Sequence, residues 1–157
     1  MQTTRISRRR RRGTTAAETA IVLPVFLIFL FGLFEYTRAV WINNMLKGAC
    51  ITAAREGIIE GVSTEDVVAS VRQKLSSSLD SNKVTVTVKN AGVYDANNDF
   101  PESLDDTDDL PNLELASAGT RQLFVVTASV SYSDISFIRF KYFNGLALAG
   151  LAIERRE

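Results

Sequence analysis

The chain has 157 residues, room for one domain beyond whatever its N-terminal segment does. Eighteen basic residues balance eighteen acidic ones, so the net charge points to no partner. There is no histidine and one cysteine, Cys50, which excludes histidine-based triads and general bases, the familiar zinc sites and any internal disulfide. An enzyme is not expected.

The first twelve residues hold six arginines, Arg5 and Arg8 to Arg12. Such a block reads either as a nucleic-acid patch or as a cytoplasmic membrane flank. An apolar run follows within a few residues, and no basic face interleaved with aromatics supports nucleic-acid binding. The flank is therefore expected, with no nucleic-acid partner. From Ala20 to Phe34 there is no charge and no strongly polar side chain. Residues 14–34 make roughly 30 Å of helix at about 1.5 Å per residue, one hydrocarbon core. The positive-inside rule places residues 1–13 in the cytoplasm and everything after the span on the far side. Tyr36 and Trp41 fall just beyond the run, where amphipathic aromatics favour the interface. A secretory signal peptide would need a small-x-small cleavage site after Phe34, but Glu35, Tyr36, Thr37 and Arg38 stand there, so the segment is expected to stay.

Glu18 sits at the mouth of this run, where an unpaired carboxylate costs a few kcal/mol in hydrocarbon. One reading leaves it at the interface, neutralised by the arginines. The other starts from Gly13. A cut after Gly13 would create an ammonium group on Thr14, four residues before Glu18, and the two charges would cancel. Pro24 removes one backbone donor and frees the Ala20 carbonyl, so the helix should kink or loosen there. Membrane helices also tolerate an incidental proline.

In GTTAAETAIVLPVFLIFLFGLFE, with its Gly13, Glu18, Pro24, Gly32 and Glu35, the chain resembles the TadE-like pseudopilins of bacterial tight-adherence pilus systems. The resemblance is carried by about 25 residues. It implies processing by a prepilin peptidase on the cytoplasmic side, between Gly13 and Thr14, with Glu18 as the assembly carboxylate. It also implies partners among other pilin and pseudopilin subunits and an inner-membrane assembly platform, and a place in the bacterial inner membrane or a pilus. Thr14 departs from the aromatic or methionine that type IV pilins commonly carry there. A minor subunit is expected, because tight-adherence major pilins are much smaller chains.

Beyond the span, residues 35–61 continue the helix as an amphipathic neck. Ala39, Ile42, Leu46, Ala49 and Ala53 recur at three and four, a narrow packing face with Cys50 beside it as a buried small hydrophobe. Gly57 and Gly61 close the helix. Residues 62–157 read as an α+β domain. Ser63 opens a second helix with a capping signature to Asp66, and Val67, Val68, Val71 and Leu75 form its stripe. Val84, Val86 and Val88 alternate with Thr85 and Thr87 in a first strand. Phe124, Val126, Ala128, Val130 and Tyr132 make a second, with one sheet face expected on helix and the other wet. A third is expected over 146–153, its alternation slipping at Gly150. The fold class is a small antiparallel sheet against the long helix.

Residues 94–120 form an acidic loop too long for a tight hairpin. Asp95, Asn97, Asp99 and Asp106 fall at positions one, three, five and twelve of a calcium-loop spacing. Phe100 stands where such loops need glycine, and Asp replaces the bidentate Glu. The default is therefore a solvated loop with no cofactor, calcium being the alternative and subunit recognition a third reading. Two other functions stay open: an uncleaved single-span scaffold, and a tethered calcium- or ligand-binding sensor.

Overall fold

In the computed structural model, residues 9–95, 100–101, 103–136 and 145–157 are described. The chain divides into two units, Met1–Arg38 and Ala39–Glu157. Helix α1, Arg9–Gly57, supplies the helix of the first unit and opens the second. It runs unbroken through Pro24. Within the first unit the apolar side chains face outward: Ile21 is 74 % exposed, Ile28 73 % and Phe34 61 %. Leaving such a side chain in water forfeits about 1.5–3 kcal/mol each, so a run of this length needs an apolar surrounding that the chain itself does not provide. Two hydroxyls at its edges are satisfied inside the helix. Thr19 Oγ1 donates to the Thr15 carbonyl at 2.8 Å, and Thr37 Oγ1 to that of Leu33 at 2.9 Å. Neither hydroxyl then depends on water for a partner.

The second unit is a three-stranded antiparallel sheet with helices on one face. Strands β1 (Val84–Asn90), β2 (Leu123–Ser131) and β3 (Ala147–Arg155) lie in the order β1-β2-β3. Val84 pairs with Val130 at one end of the β1–β2 ladder, and Leu123 pairs with Arg155 at one end of β2–β3. The last part of α1 gives Ile42, Leu46, Ala49, Cys50, Ala53 and Ala54 to the core. Helix α2 (Thr64–Leu75) adds Val67, Val71 and Leu75, and the sheet answers with Val84, Val88, Phe124, Val126, Ala128 and Val130. The small residues on α1 let the helix lie close to the sheet. At Gly150 a Cβ would sit 2.5 Å from the Leu46 carbonyl oxygen and would also overlap the Lys47 amide. The break in alternation at Gly150 is thus the point of closest helix–strand approach, and β3 runs through it to Arg155.

α1 ends at Gly57, where a Cβ would press to 3.1–3.3 Å on Val67, Leu115 and Phe124. Gly61 makes the turn that follows, at φ +88°. Ser63 then caps α2. Its hydroxyl accepts from the Asp66 amide at 3.2 Å, and Asp66 accepts from the Ser63 amide at 3.0 Å, a complete capping box.

In the acidic segment Asp95, Asp105, Asp106, Asp108 and Asp109 are exposed, as expected of a solvated loop, but the described residues on either side of 96–99 are not free of the fold. Its arms are folded onto the sheet. Asn90 N–H donates to the Pro111 carbonyl at 2.8 Å and Leu113 N–H to the Val88 carbonyl at 3.1 Å, so residues 111–113 bind the outer edge of β1. Lys89 Nζ donates to the Thr107 and Asp108 carbonyls at 2.8 and 3.0 Å, where the short helix α3 (Asp105–Asp108) ends. Tyr94 Oη donates to the Asp106 carbonyl at 2.7 Å. Tyr94 and Leu110 pack on Ala91, Leu123 and Val125, a second small core. Hence β2 is buried on both faces at its start, where one wet face was expected. A short helix α4, Tyr132–Ile135, follows β2 and lends Ile135 to the main core.

Candidate processing and assembly segment

Gly13 and Thr14 lie in the helical backbone of α1, one turn from its first described residue. Glycine in a helix is less favourable than alanine by about 1 kcal/mol, so this turn opens more readily than its neighbours. Glu18 is exposed on the next turn and borders a shallow, open groove lined by Thr19, Val22, Leu23 and Phe26. Pro24 follows within the same helix, and nothing lies within 4 Å of where a Cβ on Gly32 would stand.

At the other end of the apolar run Glu35 is only 8 % exposed, with Arg38 Nη1 at 4.0 Å. The i,i+3 spacing of these two residues is a signal present in the sequence itself. Cys50, as expected, is a buried small side chain. Its thiol donates to the Gly150 carbonyl at 3.4 Å, and burial pushes its pKa from 9.0 up to about 12. It carries no reactive character at neutral pH.

Of the four calcium candidates the structure describes Asp95 and Asp106, and each has a partner within the protein. Asp95 is ion-paired with Arg155 on the adjoining end of β3. Asp106 Oδ2 accepts from the Ser103 amide and hydroxyl, each at 3.0 Å, and so braces the start of α3. Asn97 and Asp99 lie outside the described residues. Among the described residues no three His, Cys, Asp or Glu side chains gather as a metal-binding group. The partner of Asp95 could not be read from spacing, because Arg155 is 60 positions away.

Elsewhere two carboxylates tie the domain together. Glu114 accepts from the Thr64 amide at 3.1 Å and the Ala116 amide at 3.3 Å, which holds its carboxyl below the usual range. Glu56 takes Lys74 Nζ at 2.8 Å and the Ser70 hydroxyl, joining the end of α1 to α2 and likewise lowering its pKa.

No curated protein and no solved structure matches the chain. A family model does match residues 13–55, from Gly13 through the apolar run and the first core residues of the neck. The matched stretch begins at the glycine and contains Glu18, Pro24, Gly32 and Glu35, the positions that set this helix apart from a plain anchor. Over residues 13–55 the chain is similar to the family described as TadE-like protein, a likeness consistent with a protein of the tight-adherence pilus system.

Proposed function

We propose that this chain is a minor pilin or pseudopilin, cut by a prepilin peptidase between Gly13 and Thr14 and used to assemble a tight-adherence pilus for surface attachment. One observation carries the reading. The TadE-like match starts at Gly13 and covers an apolar helix whose side chains are turned outward and whose first turns hold a single acid, Glu18. A membrane receives such a helix. After the cut, the ammonium group of Thr14 stands four residues before Glu18, or reaches the Glu18 of a neighbouring subunit, and neutralises it at the membrane surface.

In this reading Arg8 to Arg12 stay in the cytoplasm with the leader, and residues 39–157 fold in the periplasm. The subunit leaves the bilayer by exchanging lipid for the helices of other pilin subunits at an inner-membrane assembly platform. The role is structural, with no cofactor and no nucleic-acid partner. A signal peptide that is removed after the apolar run would instead discard residues 13–34 of the stretch 13–55 that the family match covers.

The test is made in cells lacking the chromosomal copy. The wild-type chain restores surface pili and attachment, and Glu18→Ala, present at equal level in the membrane, does not. Full restoration by Glu18→Ala would overturn the assembly role of the carboxylate. Normal pili in cells without the chain would overturn the proposal as a whole.

A further inference from the structure

Where α1 stops and β3 finishes, the second unit holds a buried charge. Arg156 directly follows β3 and is 6 % exposed. Its amide donates to the Gln122 carbonyl and its carbonyl accepts from the Arg121 amide, both at 3.0 Å. The alternation of the strand puts its side chain on the face of Leu148 and Ala152, which pack in the main core. Nη1 is enclosed, and among the described residues no hydrogen bond or ion pair reaches it.

A guanidinium cannot shed its proton to suit such a place, and an enclosed charge without a partner is destabilising. The acids of this end are engaged elsewhere or exposed. Glu154 stands 4.0 Å from Arg55, Asp95 pairs with Arg155 and Glu56 with Lys74, while Glu60 and Glu157 are exposed. The C-terminal end of α1 has the right sign for a cation, yet none of its carbonyls accepts from Nη1.

The backbone bears a second cost at the same spot. Arg121, whose amide binds Arg156, stands at φ +65°, in the left-handed region that disfavours a side chain. The chain beside Arg156 is also loosely bonded. Glu157 N–H meets the Ile58 carbonyl at 3.4 Å, and in the turn after α1 Ile59 N–H meets Glu56 and Val62 N–H meets Ile59 at the same length. Hydrogen bonds so long are weak, so this wall opens readily to a small group.

We propose that Arg156 is a carboxylate-binding site, the planar fork of its guanidinium taking both oxygens of a single carboxylate that enters past the turn after α1. One unpaired guanidinium matches one negative charge, and Glu154 and Glu157 on either side of it in the chain would repel a dianion such as phosphate. A small free acid and an Asp or Glu side chain of a second copy offer the same group. The site does not depend on the cut after Gly13.

The test compares thermal midpoints of the full chain in detergent, in sodium acetate and in sodium chloride of equal ionic strength. Wild type is set beside Arg156→Met, whose flexible apolar side chain can fill the space. Acetate should raise the wild-type midpoint by about 3 °C over chloride and leave that of the variant unmoved. In chloride the variant should melt no lower than wild type, because the uncompensated charge is gone. An equal acetate shift in both proteins, or none in either, overturns the site. So does a midpoint below wild type in chloride for both Arg156→Met and Arg156→Gln, since the guanidinium would then be satisfied within the fold. Raising the protein concentration in chloride separates the two sources. A midpoint that rises in wild type alone assigns the carboxylate to a second copy, and an unmoved one assigns it to a free acid.

Discussion

At the residue scale, single atoms decide how closely α1 can approach the sheet. Gly150 is the clearest case, because an added methyl would strike the main chain of Leu46 and Lys47, which cannot rotate away. Gly150→Ala should therefore destabilise the domain by about 1–3 kcal/mol, the usual cost of overpacking, and lower the thermal midpoint in detergent. An unchanged midpoint would mean that α1 stands further from β3. Cys50, under the same contact, gives a pH signature. Its folded pKa is raised, so the folded chain keeps the thiol proton while the unfolded chain loses it. Stability should fall with rising pH between about 9 and about 12, and a thiol reagent at neutral pH should react only after unfolding. Cys50→Ala should flatten that alkaline limb. Glu114 and Asp66 work in the opposite sense. Their folded pKa values are lowered by backbone and hydroxyl donors, so their contribution is present above the ordinary carboxylate range and is lost as pH falls through it. Glu114→Gln should make the acid limb of a stability–pH curve shallower.

At the element scale, local signals and long-range contacts separate cleanly. The capping box at Ser63 and Asp66 is a local device, visible as Ser63 with an acid three residues on, and the structure makes both of its hydrogen bonds. Ser63→Ala should cost about 1 kcal/mol, read as a lower midpoint in chemical denaturation, and Ser63→Asp should recover most of it. The valine–threonine alternation of β1 and the alternation of β2 were equally local, since a period of two needs no partner to be recognised. The segment from Tyr94 to Leu113 was not legible in this way. It has no periodicity, and its described residues are held by contacts outside the segment: Lys89 on the Thr107 and Asp108 carbonyls, Arg155 on Asp95, and Leu123 and Val125 under Tyr94 and Leu110. Its charges argued for water, while its few apolar side chains and its backbone decided for the sheet. Arg155→Ala should loosen this segment and raise its amide exchange, leaving α2 and β1 protected. Faster exchange throughout the domain would show that the segment is part of the main cooperative unit.

At the scale of the whole molecule, the N-terminal part of α1 is too apolar for water and too particular for a plain anchor. Its candidate site was legible because it is sequential: Gly13, Thr14 and Glu18 lie within one and a half turns, and the family match begins at that glycine. The pairing of Glu35 with Arg38 was also within reach of spacing, whereas the close packing at Gly150 needed the fold. The central claim is that the chain is a substrate before it is a subunit. The measurement that tests it most directly is the intact mass and N-terminal sequence of the protein co-expressed with a prepilin peptidase shown to be active on another prepilin, beside Gly13→Leu. The account predicts a chain that begins at Thr14, and an uncut chain in the variant. A full-length chain in both, still carrying Arg8 to Arg12, would contradict it and leave Glu18 as an interfacial residue of an uncleaved scaffold.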